Sequence, residues 1–294
     1  MERQIVAKQV LFPSKTPRSW FGIDYQLNLY RGCTHGCIYC DSRSECYQNE
    51  PFEVVRYKGN AIELLSAELA NKPKHRIIGF GSMSDPYNPL EHDLELTRRA
   101  LEMIHFHNHG VVMLTKSADV VRDIPLFKQI QTHSPMVVMM TITTANDVLQ
   151  KKLEPAVSTT TERFRAIAKL TNEGIPCGVM MMPIVPFVND TVDNVESIVR
   201  RAKEARASFV YPSFGMTLRD KQRDYFYLQI EKAFPGLKNV YMDQFGERYS
   251  CQSPHAPELK KAFVFECRRQ KLMYGMNDIV QFIRPIQEMQ LKLF

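Results

Sequence analysis

Short apolar runs alternate with longer amphipathic ones along most of this chain. "YQLNLY" (25–30), "RIIGFGS" (76–82), "GVVMLTKS" (110–117), "PMVVMMTITT" (135–144), "IPCGVMMMPIV" (175–185) and "ASFVYPSF" (207–214) are short and mostly apolar, which predicts strands. Between and after them come "NAIELLSAELAN" (60–71), "LELTRRALEMIHFHN" (94–108), "DIPLFKQIQTH" (123–133), "TERFRAIAKLTNEG" (161–174), "TVDNVESIVRRAKEA" (191–205) and "DKQRDYFYLQIEKAF" (220–234). These repeat their apolar positions at helical spacing, and Gly174 stands where the fourth helix should stop.

Strands that are apolar on both faces suit a parallel sheet covered by helices. Right-handed crossovers repeated along the chain curl such a sheet into a barrel or part of one. The predicted fold class is therefore α/β, a partial (β/α)6 TIM-type barrel with a C-terminal helical appendage. The core is assigned to residues 1–237, with an N-terminal extension, and the appendage, packed on the core rather than independent, to 238–294. Functional groups in such folds gather at the C-terminal strand ends.

Composition changes little in this picture. Hydrophobic content is 44% and charged content 24%, ordinary for a soluble globular chain. No run reaches the apolar length of a membrane span, and "MERQIVAKQVLFPSK" does not read as a signal peptide, so a cytoplasmic location is expected. Formal net charge is +6, which would suit a polyanionic partner such as nucleic acid. The basic run from Arg200 to Arg206 reads instead as a solvated helix face.

The chemistry is concentrated in "RGCTHGCIYCDSRSEC" (31–46), which holds four of the seven cysteines. In a reducing compartment a tight cluster of cysteines indicates metal or catalysis rather than disulfides. Cys33, Cys37 and Cys40 are spaced Cys-x3-Cys-x2-Cys. Zinc knuckles usually pair Cys-x2-Cys with a second pair, and no clean fourth ligand follows here. A four-iron four-sulfur cluster normally takes four thiolates, so three would leave one iron open to bind a small molecule. Gly32 and Gly36 would let the backbone turn tightly around a bulky core.

This loop, following a first barrel strand and carrying Tyr39 before the third cysteine, resembles the radical S-adenosylmethionine (SAM) superfamily. "NLYRGCTHGCIYC", "GSMSDPYNPLE" (81–91), "TKSADVVRD", "TITTANDVLQKKLEP" and "MMPIVPFVND" look like its branch containing spore photoproduct lyase and DNA-repair-photolyase-like relatives, over roughly residues 24–215. The resemblance implies that Cys33, Cys37 and Cys40 hold the cluster and that SAM chelates the open iron. It implies reductive cleavage of SAM to a 5′-deoxyadenosyl radical that abstracts hydrogen from a substrate. Tyr39 would flank the adenine, Ser84 and Lys116 would meet the methionine part, and Thr141 the ribose or methionine groups. Thr143 and Asp85 are further candidates. A flavodoxin- or ferredoxin-type protein would donate the electron. The lyase carries a hydrogen-donor cysteine where Ser82 stands here, and a hydroxyl is a poor hydrogen-atom donor, so repair of spore photoproduct is not expected.

Alternatives stay open on the residues themselves: a radical SAM enzyme acting on a peptide or small molecule, or a non-catalytic iron–sulfur or zinc sensor. Glu154 and Arg163 are expected to pair structurally. Cys46, Cys251 and Cys267, with His255, are either an auxiliary metal site or, as favoured, spectator thiols. Tyr225, Phe226 and Leu228 are expected to fill a core or line the barrel mouth, and Met180 to Met182 to pack the core or line a pocket.

Overall fold

The computed structural model describes residues 3–16, 19–47 and 51–284. Six parallel strands, β1 (Tyr25–Leu27), β2 (Ile77–Phe80), β3 (Gly110–Thr115), β4 (Met136–Thr141), β5 (Cys177–Met181) and β6 (Phe209–Pro212), lie side by side in chain order. A strand at Leu11–Pro13 pairs antiparallel with β1 and ends the sheet. The crossovers include helices α1 (Ala61–Ala70), α2 (Leu96–Phe106), α3 (Ile124–Gln131), α4 (Thr160–Asn172) and α5 (Val192–Glu204), and α6 (Asp220–Ala233) follows the sixth strand. This is the partial barrel that the alternation predicts.

The strands read as unbroken apolar runs because both of their faces are buried. In β4, Met136, Val138 and Met140 pack outward beneath the helices, while Val137 and Met139 face the barrel interior. β3 and β5 divide the same way, with Val112 and Met180 turned inward. Phe21, Ile77 and Phe209 complete the inner core, and Ile279 and Ile283 of the helix Met276–Ile283 stopper it.

The predicted strands overrun the observed ones at their C-terminal ends. The stretch 135–144 stays apolar and β-branched, yet β4 stops at Thr141. Beyond it the carbonyl of Thr143 accepts from Asn189 Nδ2 (2.8 Å) and Asn194 Nδ2 (3.0 Å) instead of a neighbouring strand. Side chains thus replace the ladder where the chain turns into the top loops, and strand propensity cannot see that exchange.

The segment after residue 238 wraps the barrel. Strand Ser250–Gln252 pairs antiparallel with Gly215–Thr217. Helix Ala256–Gln270 lies on α5 and adds Leu259, Phe263 and Cys267 to the outer core. Val210 N–H then donates to the carbonyl of Met273 (2.9 Å), so the tail runs beside β6. A separate three-stranded sheet, Gln4–Ile5, Arg56–Lys58 and Tyr30–Arg31, flanks the loop that leaves β1. Among the described residues no helix is long and apolar enough to cross a membrane.

One buried histidine should leave a pH signature. His109 is 1% exposed, and its Nδ1 accepts the backbone N–H of Arg76 (3.2 Å). Burial lowers its pKa from 6.5 to about 4, against the opposing pull of the Leu69 backbone. The unfolded chain therefore binds the extra proton first. Stability from this group is complete above about pH 6.5 and is lost as pH falls toward 4. Urea midpoints should drop more steeply between neutral and mildly acidic pH in the wild type than in His109→Asn.

Candidate active site

The loop after β1 carries the three closely spaced cysteines to the top of the barrel. Cys33 and Cys37 are buried and Cys40 is half-buried. Two glycines fix its path. Gly32 has φ +76°, and a Cβ there would lie 2.5 Å from the carbonyl of Phe52 and 2.8 Å from that of Val54. Gly36 has φ +68° and passes against the ring of Pro155. Both positions demand a residue without a side chain.

Three tethers hold this loop from different directions. The first is a buried ion pair, Arg163 Nη2 to Glu154 Oε2 at 2.5 Å, with both side chains fully enclosed. Arg163 also donates to the carbonyls of Thr141 (2.8 Å) and Ser158 (2.8 Å). The hydroxyl of Tyr39 donates to the other oxygen of Glu154, and Ile38 N–H reaches the carbonyl of Leu153 (2.9 Å). The loop is thereby fastened to the end of β4. The second tether is Ser84, whose Oγ donates to the carbonyl of Gly32 (2.6 Å) from the end of β2. The third is Asp41, next to Cys40, which pairs with Arg219 (2.9 Å) and accepts from Thr217 Oγ1 (3.1 Å). Gln222 Nε2 adds a bond to the carbonyl of Tyr39 (3.3 Å).

These elements enclose a cavity of about 600 Å³ over the barrel mouth, within the ordinary range of small-molecule sites. Cys33, Cys37, Tyr39 and Cys40 form one part of its wall, and Ser84, Asp85, Lys116 and Thr141 come from the ends of β2, β3 and β4. All eight SAM- and cluster-binding candidates other than Thr143 therefore share one space. Thr143 does not line it: the residue is 1% exposed, and among the described residues its hydroxyl has no hydrogen-bond partner. Asp85 is spent on the scaffold, accepting from Tyr87 N (2.9 Å), Thr115 Oγ1 (2.7 Å) and Lys116 N (2.8 Å), with His35 Nδ1 3.6 Å away. Those bonds aim Lys116. Its ammonium has no carboxylate within ion-pair distance among the described residues and lies 6.0 Å from the centre of the Tyr39 ring.

Burial works to discharge Lys116, but Cys37, Glu154, Cys40 and Asp85 outweigh it, and its pKa ends above that of a free lysine. Burial, with Asp85 adding to it, pushes the Cys33 thiol up to about 11. Burial raises Cys37 as well. Unligated, these thiols hold their protons at neutral pH. A soft metal would displace them, so loading such a site releases protons. Among the described residues no three His, Cys, Asp or Glu side chains converge to hold one metal ion. In an iron–sulfur cluster each of three thiolates on one cavity wall could take a different iron.

Other features escaped the sequence. Beside Met182, for which the sequence predicts the core or a pocket wall, Ser213, Phe214, Met216, Thr217, Ser250 and Gln252 form a further part of the wall, the last two from the C-terminal segment. Only the pairing of Ser250–Gln252 with Gly215–Thr217 brings them there. Arg43 is 8% exposed and sandwiched between Phe52 (4.4 Å to its centre) and Tyr225 (3.6 Å), with Nη1 on Glu53. The ring faces partner a charge with little access to water. Phe226 is buried as expected, but Leu228 is 54% exposed: the apolar face of α6 does not include it. Cys46 lies on the surface, Cys251 packs by Tyr241, and Cys267 sits in the outer core, so these three do not meet. Arg200, Arg201 and Arg206 bond to Glu196, the carbonyl of Ala145 and Asn172.

The architecture has solved counterparts. Spore photoproduct lyase complexed with dinucleoside spore photoproduct superposes with a TM-score of 0.65 at 15% identity, over 90% of this chain and 78% of that one. The radical SAM methyltransferase TsrM of Kitasatospora setae, with tryptophan and a SAM analogue bound, gives 0.57 at 11%, over 92% and 57%. At these identities the likeness defines the fold, a partial radical SAM barrel. The family model for the radical SAM superfamily matches residues 27–202, and the chain belongs to that superfamily of enzymes. Relatives include an uncharacterized protein of Methanocaldococcus jannaschii, 34% identical over 204 residues, 68% of this chain and 72% of that protein. An uncharacterized protein of Mycobacterium tuberculosis is 27% identical over 228 residues, 75% of this chain and 67% of its own length.

The Glu154–Arg163 pair yields a stability test. Arg163→Met strands a buried carboxylate and should cost roughly 3–5 kcal/mol in denaturant unfolding. Adding Glu154→Leu to that variant should recover a large part of the loss, because the uncompensated charge is then gone.

Proposed function

We propose that Cys33, Cys37 and Cys40 bind a four-iron four-sulfur cluster with one open iron, and that the protein is a cytoplasmic enzyme using it to cleave SAM reductively. The observation carrying this reading is the meeting of three cysteine thiols and one unpaired ammonium, Lys116, in a single cavity. Bound there, the cluster would supply the electron that splits SAM into methionine and a 5′-deoxyadenosyl radical, which takes a hydrogen atom from the substrate. The protein's share is placement and exclusion of water. Lys116 would hold the methionine carboxylate, and an ammonium is a compact charge suited to that task. The Thr141 side chain, at the end of β4, would meet the ribose or methionine groups. Ser84 is tied to Gly32, so its part is to hold the cysteine loop against β2 beside the cofactor. The Tyr39 ring lies on the wall where adenine would pack, its hydroxyl fixed by Glu154.

For the substrate we infer a nucleic acid, supported by the net charge of +6 and by similarity of fold to spore photoproduct lyase. Ser82 lines the cavity where the resemblance to that lyase would put a thiol donor, so repair of spore photoproduct is not the expected reaction. A second reading, a peptide or small molecule, is favoured by the neutral wall of Ser213, Phe214, Met216, Ser250 and Gln252.

Anaerobic reconstitution should give about four irons per chain, and reduction in the presence of SAM should release 5′-deoxyadenosine. Cys37→Ala should abolish both. Lys116→Met should keep the iron and weaken SAM binding by roughly 10- to 100-fold, the worth of a charge-assisted hydrogen bond. Nucleic-acid binding should weaken steeply with salt; a flat response favours the small substrate. Tetrahedral zinc as the sole bound metal after anaerobic purification would overturn the reading.

A further inference from the structure

One buried side chain on the cavity wall has no part in the arrangement described so far. His35 lies midway between Cys33 and Cys37, is 5% exposed and lines the same cavity. Its backbone is held, since its carbonyl accepts the N–H of Ala156 (3.1 Å) and Gly36 turns the chain immediately after it. The backbone N–H groups of His35 and Asp85 both act on the Cys33 sulfur, which places both residues beside that thiol. The imidazole ring, by contrast, makes no hydrogen bond among the described residues. Its Nδ1 stands 3.6 Å from Asp85 Oδ2, beyond hydrogen-bond length. A polar ring buried without partners is destabilising unless a ligand supplies one.

The neighbouring carboxylate sets which nitrogen is free. Asp85 Oδ1 accepts from Tyr87 N and Thr115 Oγ1, whereas Oδ2 accepts from Lys116 N and faces His35 with its remaining lone pair. Negative charge beside Nδ1 favours a proton there and leaves the lone pair on Nε2. Metal-ligating histidines are commonly oriented in this way, with a carboxylate behind the ring nitrogen that does not bind. Imidazole is also an accepted iron ligand in place of a thiolate. Among the described residues no other histidine lines the cavity, and Lys116, kept as an ammonium, has no lone pair to give.

We propose that His35 Nε2 ligates the iron that the three cysteines leave without a thiolate, and that SAM displaces it. The proposal rests on the reading of Cys33, Cys37 and Cys40 as cluster ligands. The wall then offers four donors, three sulfurs and one nitrogen, one for each iron. His35 gives a single lone pair. SAM brings an amino nitrogen and a carboxylate oxygen, and Lys116 stands in the cavity to hold that carboxylate. The exchange breaks one Fe–N bond and forms one Fe–N and one Fe–O bond. SAM's ammonium releases one proton to solvent, and no electron moves. The cluster of the SAM-free protein is thereby capped, and the cofactor itself opens the site it occupies.

The test uses protein labelled with ¹⁵N at histidine, reconstituted anaerobically, reduced with dithionite and read by pulsed electron paramagnetic resonance. SAM-free wild type should show a ¹⁵N coupling to the cluster. Excess unlabelled SAM should remove it, a measurement that needs no variant. His35→Ala, loaded with about four irons per chain, should lack the coupling from the start. Loss of the competing imidazole should also tighten SAM binding, about tenfold if the ring caps about nine-tenths of the SAM-free clusters. A SAM-free wild-type cluster without ¹⁵N coupling would overturn the proposal and leave the cluster reading standing. So would a coupling that persists in loaded His35→Ala or under saturating SAM. Equal SAM affinity in the two proteins would overturn it as well. Wild-type protein that takes up no iron–sulfur cluster would overturn both readings.

Discussion

The buried pair of Glu154 and Arg163 is the joint on which the top of this barrel depends. The other tethers are hydrogen bonds and the partly exposed ion pair of Asp41 and Arg219. This one places a guanidinium and a carboxylate where neither can be solvated, so each requires the other. Arg163 spends its remaining donors on the carbonyls of Thr141 and Ser158. Glu154 spends its second oxygen on Tyr39. A charge pair of this kind contributes little net stability compared with apolar packing. What it supplies is uniqueness of position, because shifting the loop would leave a charge unpaired.

A second carboxylate works differently. Asp85 accepts from three groups at the ends of β2 and β3 and leaves the Lys116 ammonium free. Its negative charge acts on Lys116 through space while its hydrogen bonds go to backbone and hydroxyl. The result is a cation held in a cavity among thiols without a partner of its own. A ligand carboxylate would give this ammonium a direct partner, which supports the proposed assignment of the cavity to a carboxylate-bearing cofactor.

The C-terminal segment closes the other side. Asp41 and Arg219 join the loop just past Cys40 to the chain after β6. The pairing of Ser250–Gln252 with Gly215–Thr217 brings in the wall facing the cysteines. The ligand loop and the candidate substrate wall thus come from opposite ends of the chain and meet across one cavity.

Much of this was legible in the sequence. Alternating apolar runs and helical periods determined the six-strand core, because both signals are local and each strand is buried on both faces. The spacing of Cys33, Cys37 and Cys40 with Gly32 and Gly36 marked the loop, since three sulfurs within eight residues leave few uses. Contacts between distant residues had no such signal. Tyr39 and Glu154 are 115 positions apart and Arg219 and Ser44 175, and neither pairing has a period or a motif. Strand ends, the place of Ser250 and Gln252, and the exclusion of Thr143 from the cavity were decided only when the chain closed on itself. Burial and hydrogen-bond satisfaction are properties of the assembled surface, not of any segment of it.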